Sequence, residues 1–158
     1  MAVDFFLKID GIDGESAKDG HKKDIDVLSW SWGVTQMGSF EGGGGGGAGK
    51  ASPGDFHFTQ LMNNASPKLM LACSNGEHIG KAVAVARKAG KTPQEYLKIT
   101  MSDILMSSYQ TGGSEGNDIP TESVSFNFAK IEFEYREQTK EGGLGGAVKG
   151  VYDYKQGK

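Results

Sequence analysis

The chain has 158 residues, of which 37% are hydrophobic and 23% charged, and its formal net charge is −3. That is enough for a sizeable core and too short for two comfortable ones, so a single domain over residues 1–158 is expected. The weak negative charge gives no electrostatic ground for nucleic acid or an anionic membrane surface as partner. No stretch approaches the roughly 20 apolar residues needed to cross a bilayer, so membrane insertion is not expected either.

The opening "MAVDFFLKIDGIDG" carries Asp4, Lys8 and Asp10 and has no apolar run of signal-peptide length. Synthesis and folding in the cytoplasm are therefore expected, with any export by a route that does not read such a signal. Within "VDFFLKI" the apolar Val3, Phe5, Leu7 and Ile9 share one face of a strand, with Asp4 and Lys8 on the other. "DIDVLSWSWGV" places Leu28, Trp30, Trp32 and Val34 together, opposite Ser29, Ser31 and Gly33.

Next comes "GGGGGGAGKAS", residues 42–52. Gly44, Gly49 and Lys50 have the spacing of a phosphate-binding loop, but that loop needs Ser or Thr after the lysine to hold magnesium, and Ala51 stands there. It must also feed a helix whose amides face the phosphate. Pro53-Gly54 and a strand-like "DFHFTQ" follow instead, so the glycines read as a flexible connection.

In "DFHFTQL", Phe56 and Phe58 alternate with His57 and Thr59. "SPKLMLACSNG" breaks the period of two. Ser66 is positioned as an N-cap, Pro67 at the first helical position and Asn75-Gly76 at the end, with Leu69, Met70 and Cys73 on one helical face. "KAVAVARKAG" returns to alternation, with Val83 and Val85 opposite Ala82, Ala84 and Ala86.

Two longer strands change phase midway. Leu97, Ile99 and Met101 give way to Ile104 and Met106; Val124, Phe126 and Phe128 give way to Ile131, Phe133 and Tyr135. A bulge near Asp103 and another near Ala129–Lys130 would restore register, as a strongly bent sheet or barrel requires. "VKGVYDYK" makes a last strand. This pattern gives a mainly β body, a strongly bent sheet or a barrel, with one short α-helix packed against it.

No catalytic, cofactor or metal site is expected. His21, His57 and His78 lie far apart and read as solvated or capping residues. Cys73 is the single cysteine, so no internal disulfide can form, and it reads as a buried inert thiol rather than a nucleophile paired with His78. The carboxylates of "KIEFEYREQTKE" read as the wet face of a strand. From pattern alone, a monomeric β-sandwich binding module fits as well.

Taken together and in order, "FFLKIDGIDGES", "DIDVLSWSWGV", "GGGGGAGK", "DFHFTQLMNNASPKLMLACSNGEHI" and "SYQTGGSEG…TESVSFNFAKIEFEY" resemble the Hcp (haemolysin-coregulated protein) family over about residues 3–155. The resemblance implies the tube protein of bacterial type VI secretion: a bent two-sheet β-barrel that forms six-membered rings, stacks into a hollow tube inside a contractile sheath, and is driven outward. Implied partners are further copies of the chain, sheath and spike components, and small effector proteins carried in the lumen. It implies no enzymatic activity and no cofactor. Longer members append a toxin domain, which is not expected in a chain ending at Lys158. Within this frame Ser29 and Ser31 are expected to line the lumen and contact cargo. Gly44, Gly45, Gly46, Gly47, Gly49 and Lys50 are expected to form an assembly loop that orders where rings meet.

Overall fold

The computed structural model describes residues 2–36 and 50–158. Among these, strand dominates. In chain order the elements are β1 (Val3–Ile9), β2 (Ile25–Val27), β3 (Ser29–Ser31), β4 (Val34–Gln36), β5 (Ala51–Pro53), β6 (Phe56–Leu61), α1 (Ser66–Asn75), β7 (His78–Lys88), β8 (Gln94–Gln110), β9 (Thr121–Asn127), β10 (Lys130–Gln138) and β11 (Leu144–Asp153).

All pairings are antiparallel. One sheet runs β2-β1-β7-β8-β9-β6-β3, with β10 joined to β8 and β11 to β10, while β4 and β5 pair separately. This hydrogen-bonded path is open, from β2 to β3, so the ladders do not close the expected barrel. The cause is Leu28. A bend there splits one stretch of chain, leaving Ile25–Val27 to pair with β1 and Ser29–Ser31 with β6. The Leu28 N–H itself bonds the Thr59 carbonyl at 2.8 Å.

The core is built from the inward faces: Leu7 and Ile9 of β1, Phe56 and Phe58 of β6, Ile99 and Met101 of β8, and Phe126 of β9 are all 2% exposed or less. Phe56 stacks on Phe126 at 5.1 Å between ring centroids, and Trp30 lies parallel to Phe56 at 6.0 Å.

The phase change expected in the two long strands is present, but the ladders shift register elsewhere, at Ala86/Arg87, Met106/Ser108 and Arg136/Gln138. Three adjacent strands switch faces together. Inward residues jump by three at the same level in each: Ile79 to Ala82 on β7, Met101 to Ile104 on β8, and Phe128 to Ile131 across the β9–β10 break. Asp103 sits at the switch with φ of +58°, a left-handed conformation that Asp tolerates better than most residues. Because every strand turns over at once, no pairing slips, and both halves of β8 present apolar side chains to the interior.

The helix differs from expectation at its start. Ala65 occupies the N-cap without a side-chain bond, and Ser66 is the first helical residue, its hydroxyl turned inward to Glu122. Asn63 serves the preceding turn, accepting from the Ala65 N–H at 2.7 Å. Gly76 ends the helix at φ of +68°, as the Asn-Gly signal predicts. Leu69 and Ala72 are buried and Cys73 is half-buried, whereas Met70 is 43% exposed. The buried stripe is therefore narrower than the expected Leu69–Met70–Cys73 face.

Candidate functional site

Four strands, β3, β6, β9 and the second half of β8, form a sheet whose inner face carries the phenylalanines. Period-two alternation then sends their remaining side chains to the other side. Across it, Ser31 is opposite His57 and His57 opposite Ser125; Ser29 is opposite Thr59, Thr59 opposite Ser123, and Ser123 opposite Gln110. Ser29 and Ser31 are exposed while Trp30, between them, packs against the core, so the predicted division of "SWSWG" between two faces holds. Leu28 and Val34, expected beside the tryptophans, are instead about half exposed: β3 is only three residues long, with Leu28 in the bend before it and Val34 in β4 beyond its end.

This outward face is concave. A hollow of about 400 Å3 is lined by Ser29, Ser31, His57, Thr59, Gln110 and Ser123 among others, and among the described residues no Lys, Arg, Asp or Glu belongs to its lining. It shares Ser31 and His57 with a second open hollow of about 490 Å3 that runs toward β4 and β5. Hydroxyls tie the strands together: Ser29 and Thr59 lie 2.6 Å apart. At the β8 bulge two serines meet one. Ser107 donates to Asp55 at 2.6 Å, and Ser125 lies 2.8 Å from Ser107 and 2.6 Å from Ser108. The Asp55 carboxylate is thus engaged by a hydroxyl. The face offers neutral hydrogen-bonding groups on a shallow curve.

The second notable surface is the β10–β11 hairpin. Phe133 and Tyr135, on the same side as buried Ile131, are 37% and 46% exposed, and Val148, opposite Tyr135, is 73% exposed. Glu132 and Glu134 on the other side are only half-exposed, so the expected wet face is not the wetter one. The apolar side continues the interior: Trp32 lies 6.3 Å from Phe133 and 6.0 Å from Phe128. Tyr96 meets Tyr135 edge-on at 6.5 Å, and beyond it Val148, 73% exposed, is left open.

Of the remaining candidates, Gly44, Gly45, Gly46, Gly47 and Gly49 lie outside the described residues. Lys50 is exposed, just ahead of β5. His57 and His78 are exposed, but His21 is buried at 7% and bonds side chains, contrary to its reading as a solvated or capping residue. Its ring stacks on Phe6 at 4.2 Å, and its nitrogens lie 2.8 Å from Asp24 and 2.6 Å from Glu95. Among the described residues, no three His, Cys, Asp or Glu side chains are grouped to hold a metal ion. No helix there is long and apolar enough to cross a membrane.

The family described as "Type VI secretion system effector, Hcp" matches residues 6–135. The chain belongs to the Hcp family. It is 48% identical to Protein hcp1 of Pseudomonas aeruginosa over 158 residues, covering 99% of this chain and 98% of that one. The crystal structure of Hcp1 from Salmonella typhimurium is 39% identical, covers 100% of this Hcp chain and 99% of its own, and superposes with a TM-score of 0.83. A further solved type six secretion system protein reaches a TM-score of 0.91 at 30% identity, with 99% of each chain covered. This Hcp chain is thus a type VI secretion protein built over its whole length like its relatives.

Proposed function

We propose that this chain is the tube subunit of a type VI secretion system. Six copies form a ring, rings stack into a hollow tube, and the tube is exported without a signal peptide, carrying small effector proteins in its lumen. In this reading it is a structural component and not an enzyme. Sheath and spike components are its further partners.

The observation that carries the assembly is the apolar side of β10–β11. A sheet face continuous with the core and left uncovered stabilises association far more than it suits an isolated monomer. The concave hydroxyl face of β3-β6-β9-β8 supports the lumen: six such faces would make a wall with little charge, against which proteins of differing surface charge can pass or pack. Ser29 and Ser31 are then cargo contacts, and the glycine run with Lys50 is the segment where stacked rings meet.

Size-exclusion chromatography with light scattering tests the ring, six chain masses being the expected result and a monomer the result that overturns it in favour of a single-copy binding module. Ser31→Gln tests the lumen. Rings of unchanged mass should capture less of a co-expressed effector, and undiminished capture would remove this face from the cargo site.

A further inference from the structure

A hollow of about 180 Å3 opens where the β2–β3 bend, the end of β6 and the segment before β9 converge, and Leu28, Leu61, Met62 and Ile119 belong to its lining. These four are 42–52% exposed. Single exposed apolar residues are ordinary, but four converging on one hollow mark an interaction site.

Strand alternation ties the hollow to the hydroxyl face. On β6 the outward side chains are His57, Thr59 and Leu61, with Phe58 and Gln60 buried between them. Leu61 therefore stands one step beyond Thr59 on the same side, and Leu28 adjoins Ser29. The Met62 N–H bonds the Pro120 carbonyl at 2.9 Å, which carries the β6–β9 pairing past Leu61 and sets Met62 beside the Ile119 segment. At this end the concave wall passes from hydroxyls to apolar side chains.

The charge there is of one sign. Glu15 and Asp26 lie in the lining, both exposed, and among the described residues neither makes an ion pair. The remaining lining side chain, Asn63, is already engaged, donating to the Leu61 carbonyl at 2.8 Å and accepting from the Ala65 N–H at 2.7 Å. What is left to satisfy is four apolar side chains and two carboxylates. Their complement is an apolar side chain next to a base.

Resting on the lumen reading above, we infer that this hollow is an anchor for cargo: a protein carried against the hydroxyl face seats in it an exposed apolar side chain flanked by lysine or arginine. The uncharged wall accepts many surfaces, and the hollow discriminates among them.

Met62 supplies the probe. The full chain, labelled at its methionine methyl groups and in whatever assembly it adopts, is titrated with three short peptides: leucine flanked by lysines, leucine flanked by glutamates, and serine flanked by lysines. The Met62 resonance, assigned with Met62→Leu, should shift saturably with the first, far less with the second and not with the third, while the buried Met101 and Met106 stay unmoved. A Met62 resonance that the lysine–leucine peptide does not move would overturn the inference, whether a second copy covers the hollow or the hollow lacks affinity. An equal response to the glutamate peptide would overturn the charge selection. Leu61→Ser/Ile119→Ser, and Glu15→Gln/Asp26→Asn, which leaves the packing untouched, should each keep the wild-type assembly mass and lose capture of an effector that wild-type rings hold. Capture lost in Ser31→Gln rings but kept in both of these variants would overturn the anchor and leave the lumen reading standing; capture kept in all three would remove both.

Discussion

Ser66 and Glu122, 56 residues apart in the chain, are joined by a hydroxyl-to-carboxylate hydrogen bond of 2.5 Å. The same carboxylate accepts from Gln60 Nε2 at 2.9 Å and from the Tyr109 hydroxyl, and the Asn63 N–H donates to the Ser66 oxygen at 3.0 Å. A fully buried acid thus fastens the start of α1 to β6, β8 and β9. Glu122→Ala strands several buried donors and should destabilise the fold by about 3 kcal/mol, while Ser66→Ala, which removes one donor, should cost about 1 kcal/mol. Urea denaturation measures both. Equal effects would show that the carboxylate is not the centre of the cluster.

Acid should expose the same feature. Burial pushes the Glu122 carboxyl up, but donors from Ser66, Thr111, Tyr109 and Gln60 outweigh it and hold the group below the ordinary glutamate range. A carboxylate with a lowered folded pKa stabilises the fold above its unfolded pKa, and that contribution is lost as pH falls through the folded value. Melting temperature should therefore drop on acidification below the ordinary glutamate range. Glu122→Gln should start lower and show a shallower drop, and parallel curves for the two proteins would contradict this assignment.

His21 holds the 10–24 segment against the sheet. Its ring covers Phe6, whose other neighbour is the Arg87 guanidinium at 4.9 Å from the ring centre. His21→Ala uncovers Phe6 and leaves Asp24 and Glu95 facing a gap, and about 1–3 kcal/mol of stability should be lost. Hydrogen exchange should rise first at Ser16 and Asp24, whose amides bond within that segment. Uniform loss of protection across the sheet would instead indicate a global role.

Gly14 is needed for want of space. A Cβ there would stand 2.6 Å from the Asp24 carbonyl oxygen and 2.7 Å from the Ile25 Cα, both backbone atoms that cannot swing aside. Gly14→Ala should cost about 1–3 kcal/mol by overpacking, read from the denaturation midpoint. Gly20→Ala is the contrasting case, since nothing lies within 4 Å and only its φ of +81° opposes the change. Its cost should be nearer 1 kcal/mol.

What could be read from sequence was what is written locally. Alternation in "DFHFTQL" and "SWSWG" assigns faces because the side-chain period of a strand is two whatever lies across from it. The Asn-Gly stop of α1 is equally local. Gln60, Glu122 and His21 were unreadable for the opposite reason: a polar residue in a strand or loop looks solvated until its partner is placed, and those partners lie 62 residues away for Gln60 and 74 for the His21–Glu95 pair. Phe133 and Tyr135 show the converse limit. Alternation identifies an apolar side, but not whether the same chain covers it. The concave face was legible only at Ser29 and Ser31. Its other hydroxyls, on β6, β8 and β9, join those serines through cross-strand register that no single segment contains.

The shared switch of faces at Asp103 ties the lengths of three strands to one another. Deleting one residue from β8 beyond Asp103 would turn its far half inside out relative to β7 and β9, exposing Ile104 and Met106 and burying Leu105 and Ser107. The same deletion made at the matching level of all three strands would merely shorten the body. Insertions and deletions in this part of the molecule should therefore be accepted in concert or not at all, and a library of single-residue deletions across 78–82, 101–106 and 126–131 should be nearly empty of folded members.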